Sequence, residues 1–192
     1  MANWAYTSYA IEGPKETLLK IEDAINNPTT EEESSKGWEG NVLKTLGITW
    51  ESRKPDGSGK YMRGFISGEP WWEGDTLRFD AEEAWDLTDF HECLEENFPD
   101  IKIYWNVEED GMAIYATNDK ESKYFKDRFL VDCCIEGDYQ SEYFASEEAT
   151  FEWLSMITNG KVNNNEDLIK FNESLNDDAE DYIKAYKYKI FD

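Results

Sequence analysis

The order of hydrophobic periodicities along the chain predicts an α+β fold. It has a ferredoxin-like (βαββαβ) core with an antiparallel sheet, an insertion after the first helix, and strand and helix additions toward the C-terminus. Three observations carry this reading. Period-two and period-3.6 segments follow one another as strand, helix, strand, strand, helix, strand up to about residue 107. Glycine, proline and Asn/Asp clusters separate those segments. Aromatic residues make up 15% of the 192 positions, so large rings supply core area that a 40% hydrophobic content would otherwise leave short.

Trp4 to Ile11 alternates and reads as a first strand. Gly13-Pro14 punctuates, and Pro14 suits the first turn of a helix. Leu18, Leu19, Ile21, Ala24 and Ile25 form its apolar stripe, ending near Asn26-Asn27-Pro28. A polar run, Thr29 to Gly37, precedes a short helical piece at 41–46 and a Gly/Pro loop at 55–59. Tyr61 to Ser67 and Thr76 to Ala81 read as strands joined through 68–74. Leu87, Phe90, Cys93, Leu94 and Phe98 mark an amphipathic helix capped by Asp86 or Thr88 and stopped by Pro99. Ile101, Ile103, Trp105 and Val107 alternate as a strand, and Glu109-Asp110-Gly111 turns the chain into a further strand, 112–117.

Strands at 128–135 and 141–144 follow, then a helix capped by Ser146 and closed by Asn159-Gly160. A helical segment through Leu168 to Leu175, another over 179–186, and an alternating edge strand over 186–191 complete the chain. The expected organisation is one domain, 1–192. The core is about 1–117 with an insertion at about 27–60, too poor in apolar residues for a core of its own, and the extension is about 118–192.

Asn3-Trp4, Glu12-Gly13, Leu77-Arg78-Phe79-Asp80 with Ala84-Trp85, Phe98-Pro99-Asp100 and Glu109-Asp110-Gly111-Met112 follow one another along the chain. Their order resembles that of the YubB-like family of ferredoxin-like-domain proteins, which are of unknown function and encoded on plasmids, phages and other mobile elements. These features span about residues 1–117. Asp86-Leu87-Thr88 departs from the serine and prolines that the family places after its Ala-Trp pair. The resemblance implies the fold and a mobile-element origin, and it brings no catalytic residues with it.

Charge bounds the partners. Forty-three acids against 19 Lys and Arg give a formal net charge of −24. Such a surface repels phosphates and anionic membranes, so the expected partner is a basic protein surface, with no direct nucleic acid binding and no membrane. A compact chain of this length is about 40 Å across. Duplex DNA of that length carries about 24 charges, which makes a nucleic acid mimic a physically sensible class. Three acidic patches are the candidates: Glu31, Glu32 and Glu33; Asp89, Glu92 and Glu96; and Asp177, Asp178, Glu180 and Asp181.

Cys93, Cys133 and Cys134 do not form a disulfide framework, and no basic, apolar leader opens the sequence. A cytoplasmic location is expected. The single histidine, His91, lies two residues from Cys93, where helical side chains diverge, so no metal site is expected; nor is any cofactor. Phosphate-loop, dinucleotide and nucleophile-elbow motifs are missing from the sequence. The one enzyme-like constellation is an aromatic pocket of Trp71, Trp72 and Glu73 beside Asp75, Asp80, Glu82 and Glu83. Paired carboxylates next to aromatic platforms suit a carboxylate-based enzyme acting on a sugar or a cationic small molecule. The competing reading is a tryptophan-rich hairpin packed on a helix with its acids in solvent. The main expectation is an acidic accessory protein that binds a basic protein surface.

Overall fold

A computed structural model describes residues 3–30, 35–175 and 181–191. The chain is α+β, with helices and two sheets that are mostly antiparallel. It divides into two compact units, Met1–Asp119 with Phe191–Asp192, and Lys120–Ile190. No helix among the described residues is long and apolar enough to cross a membrane.

In the first unit, β1 (Trp4–Glu12) leads through Gly13-Pro14 into α1 (Lys15–Asn26). Leu18, Ile21, Ala24 and Ile25 form the buried stripe of α1 at helical spacing. A shorter helix, α2 (Glu39–Thr45), precedes the hairpin of β2 (Gly64–Glu73) and β3 (Thr76–Ala84). Then come α3 (Phe90–Asn97), β4 (Lys102–Glu109) and β5 (Ile114–Thr117). The strand order runs β2-β3-β1-β4-β5.

Alternation sends Ala5, Thr7, Tyr9 and Ile11 of β1 to the inner face, with Leu77, Phe79, Ala81 and Glu83 of β3 and Ile103, Trp105 and Val107 of β4. Helical residues close this core, with Tyr9 stacked on Phe79 at 4.7 Å and Phe90 edge-on to both rings.

One expectation for this unit needs correction. Residues 68–74 are not a simple connection. The register shifts between Ser67 and Trp71, and β2 then resumes pairing, Trp71 opposite Arg78 and Trp72 opposite Leu77. Val42, Leu43 and Ile48 of the insertion are members of this same core.

In the second unit, β6 (Phe129–Ile135) and β7 (Asp138–Phe144) form a hairpin through Glu136 and Gly137. Both turn residues have positive φ, as a tight two-residue turn requires. Then come α4 (Glu147–Ile157), α5 (Asn165–Ser174), β8 (Tyr182–Lys187) and a two-residue strand, β9 (Lys189–Ile190). Ser146 caps α4 as expected, its hydroxyl accepting the Ala149 N–H at 3.2 Å.

The helix expected over 179–186 is, in its described part, the strand β8, which pairs with β6 in the order β7-β6-β8. The Asn172 side chain satisfies both backbone groups of Ile183, at 3.0 and 2.8 Å. Residues 118–192 were read as an extension of one domain. The structure gives this unit its own apolar cluster, with Val131, Cys133, Leu154, Val162, Leu168 and Ile183 inside.

Candidate functional site

The outer face of the first unit's sheet carries the most distinctive arrangement. Directly paired residues in antiparallel strands share a face, and their side chains touch. Following the register across five strands gives one row: Phe65 opposite Glu82, Glu82 opposite Tyr6, Tyr6 opposite Glu108, and Glu108 opposite Tyr115. Aromatic rings and carboxylates therefore alternate across the sheet. One row over, Trp4 is half-exposed at the end of β1, and its ring meets Phe65 edge-on at 6.2 Å.

On the other side lies a polar row of Ser67, Asp80, Ser8, Asn106 and Thr117, with the Ser8 hydroxyl donating to Asp80 at 2.7 Å. Trp4, Tyr6 and Phe65 are exposed, and so is Glu82. Burial and the Asp80 carboxylate push the Tyr6 phenol up to about 12, so it stays a neutral donor. No lysine or arginine among the described residues forms an ion pair with Asp80 or Glu82.

The sequence-selected residues fall in other places. Trp71 and Trp72 point to opposite faces, as neighbours on a strand must. Trp71 is exposed opposite Arg78. Trp72 turns inward, where its indole N–H donates to Glu22 at 2.7 Å and the Lys15 ammonium sits 3.0 Å above the ring. Glu73 pairs with Arg78 at 3.0 Å. The aromatic-acid constellation is thus split by the sheet, with Trp72 and Glu83 on one side and Trp71, Asp80 and Glu82 on the other.

Of the acidic patches, Asp89 precedes α3 and accepts the Tyr61 N–H at 2.6 Å. Glu92 and Glu96, one turn apart, grip the Lys60 ammonium at 2.9 and 2.6 Å. That patch presents less free charge than its sequence implies. Glu31, Glu32, Glu33, Asp177, Asp178 and Glu180 lie outside the described residues, and Asp181 directly precedes β8.

His91 is half-buried, with Nδ1 3.0 Å from the Thr88 carbonyl oxygen and its ring against Trp105. All three cysteines are free and buried, and burial pushes the Cys93 and Cys133 thiols up to about 11. No group of three or more His, Cys, Asp or Glu among the described residues is arranged to hold a metal ion.

Sequence reading missed a second feature, on the sheet's inner face. Glu39 of α2 and Glu83 of β3 are both fully buried. Tyr9 donates its hydroxyl to Glu83 at 2.8 Å, and Thr7 donates to the same carboxylate. The Thr88 hydroxyl lies 2.8 Å from an oxygen of each glutamate. Gly64 makes room for the Glu39 carboxyl, since a Cβ there would fall 2.4 Å from its Cδ. Burial, then the charge of Glu83, holds Glu39 well above the usual carboxylate range, and burial does the same to the Tyr9 phenol. Glu39 stands in Trp38-Glu39-Gly40, a stretch with no periodic signal that could have marked it as interior.

No family model, curated protein or solved structure matches the chain.

Proposed function

We propose that the chain is an acidic interaction protein whose first unit holds a basic protein segment on the outer face of its sheet. The carrying observation is the exposed part of the alternating row, Phe65, Glu82 and Tyr6, with half-buried Glu108 beside it and Tyr115 buried at its far end. A lysine or arginine side chain lays its apolar stem along an aromatic ring and its charge on a neighbouring carboxylate, combining cation–π attraction with charge-assisted hydrogen bonds. Exposed Trp4 extends the apolar side of that platform.

The strand order β4-β1-β3-β2, with helices after β1 and β3, supports a ferredoxin-like reading of this unit and with it the YubB-like resemblance. RNA-binding modules of that architecture stack bases on sheet aromatics within a basic field. Here Asp80, Glu82 and Glu108 reverse the field, which favours a cationic partner over a phosphate backbone. A mobile-element accessory role, with the carboxylates occupying a surface built for nucleic acid, is the form of this reading that the resemblance favours.

The test is calorimetric titration of the full chain with a Lys/Arg-rich peptide and with a Gly/Ser peptide of equal length. Glu82→Lys combined with Glu108→Lys should weaken the basic peptide's binding at least tenfold, about 1.4 kcal/mol. Reversing two charges on the second unit, Glu148→Lys and Glu166→Lys, should change it less than twofold. Equal losses from both pairs would mean that only net charge acts, and the surface would then not be a site. Competition by a basic DNA-binding domain, itself displaced by duplex DNA, would mark the mimic form.

A further inference from the structure

We propose that Glu39 and Glu83 share a single proton between their carboxyl groups, and that this proton fastens α2 to the sheet. Acceptors outnumber donors around the pair. The two carboxyl groups offer four oxygens, all away from water, and ionised carboxylates can only accept hydrogen bonds. Three hydroxyls reach them, those of Thr7, Tyr9 and Thr88, each supplying one proton, and the Gly64 backbone N–H faces Glu39 as well. Thr88 lies at hydrogen-bonding distance from both glutamates but can donate to only one at a time. One oxygen of Glu39, Oε1, accepts no hydrogen bond of good geometry from the described residues.

No lysine, arginine or histidine among the described residues pairs with either carboxylate. Tyr9 comes from β1 and Glu83 from β3, and these are the titratable groups that act on the site along with Glu39 itself. β2 contributes the backbone of Gly64, and the segment before α3 contributes Thr88, neither of which titrates. Two bare carboxylates would each carry a heavy desolvation cost that the hydroxyls repay only in part. One added proton turns an acceptor into a donor, removes a charge and links helix to strand. The direction in which burial and Glu83 move Glu39 agrees with that occupancy.

The proton also bears on the proposed surface. Gly37 and Trp38, directly before α2, run along β2: the Gly37 carbonyl accepts the Ile66 N–H at 2.7 Å, and Trp38 bridges to Phe65. Release of α2 would strip that edge from the strand that presents Phe65. This link to binding rests on the interaction reading above; the shared proton does not.

The pH dependence has a definite sign. An unfolded glutamate loses its proton near pH ~4.3, whereas the folded pair retains one well above that. The stabilisation is fully present below the unfolded value, declines as pH rises beyond it, and is gone once pH passes the folded value. Within that window the pair adds about a tenfold rise in the unfolding constant per pH unit.

Urea unfolding of the full chain at several pH values from 5.5 to 9 tests this against Glu39→Gln, whose amide donates permanently and carries no charge. The wild-type unfolding constant should climb relative to the variant by about tenfold per unit until the pair titrates. Parallel curves would overturn the proposal. Should Glu39→Gln fail to fold, Glu83→Gln carries the same expectation. Infrared spectroscopy of the wild-type protein at pH 7 supplies a reading that needs no variant. A protonated carboxylic acid band should be present, and its absence would equally overturn the proposal.

Discussion

Glu82 and Glu83 are adjacent in sequence and identical in chemistry, yet the sheet assigns them opposite lives. Glu82 stands on the outer face between Phe65 and Tyr6, in water, with no ion pair among the described residues. Glu83 stands on the inner face with no solvent exposure, held by Thr7, Tyr9 and Thr88. The period of two in a strand decides which is which. On the outer side a carboxylate keeps its hydration and is available to a cationic partner. On the inner side it must be satisfied by hydroxyls and a shared proton. Net charge alone therefore describes this protein poorly, because the same residue type stands hydrated on one face and is enclosed by hydroxyl donors on the other.

The comparison breaks most visibly at Glu83. Glu83→Ala removes the acceptor for Tyr9 and Thr7 and leaves a hole beside Glu39. The expected loss is about 3–5 kcal/mol of folding stability, read from urea unfolding. A loss below ~1 kcal/mol would mean that water enters the cluster and satisfies it. Gly64→Ala comes next, because its Cβ would overlap the Glu39 carboxyl and push α2 outward. Overpacking of this kind costs about 1–3 kcal/mol. Glu39→Ala in the same chain vacates the space, so the double variant should lose less than the two single losses added together. Additive losses would show that Gly64 matters for its backbone and not for the room it leaves.

Much of the fold could be read from periodicity, and the reasons for the rest are local. The stripe of Leu18, Ile21, Ala24 and Ile25 and the cap at Ser146 are signals carried by neighbouring residues, so both elements appear where expected. The strand at Tyr182–Lys187 was read as helix because Tyr182, Ile183 and Tyr186 also satisfy helical spacing, and only pairing with β6 separates the two periods. Val42 and Leu43 are too few to announce a core segment by themselves; they become core by docking on a sheet far away in sequence.

The site was legible only as an excess of acids and aromatics. Its row depends on register across five strands, and no local pattern encodes register. Trp71 and Trp72 drew attention because they are adjacent, and adjacency on a strand is what separates them.

Lys60 tests an intermediate case, a charge pair that is neither open nor fully enclosed. Its ammonium bridges Glu92 and Glu96, whose side chains are 51% and 60% exposed. Solvent screens such pairs, so Lys60→Met should cost less than about 1 kcal/mol, and the difference should shrink further in high salt. A larger loss that persists in salt would place this cluster with the buried network instead of with the surface.

The smallest stability effect belongs to Glu82, and it is the most informative. Glu82→Ala removes an exposed carboxylate without opening a cavity or orphaning a donor, so unfolding should shift by no more than about 0.5 kcal/mol. Removal of an unpaired acid from a strongly anionic chain can even stabilise it slightly. Binding of the Lys/Arg-rich peptide should nevertheless fall several-fold, because the carboxylate between Phe65 and Tyr6 is the charge such a side chain would meet there. A protein that keeps its stability and loses its ligand at Glu82, but loses its stability at Glu83, has the two roles of its acids divided by a single peptide bond. If Glu82→Ala leaves peptide binding untouched, the outer row is a solvated sheet face, and recognition has to be sought among the acids of the second unit.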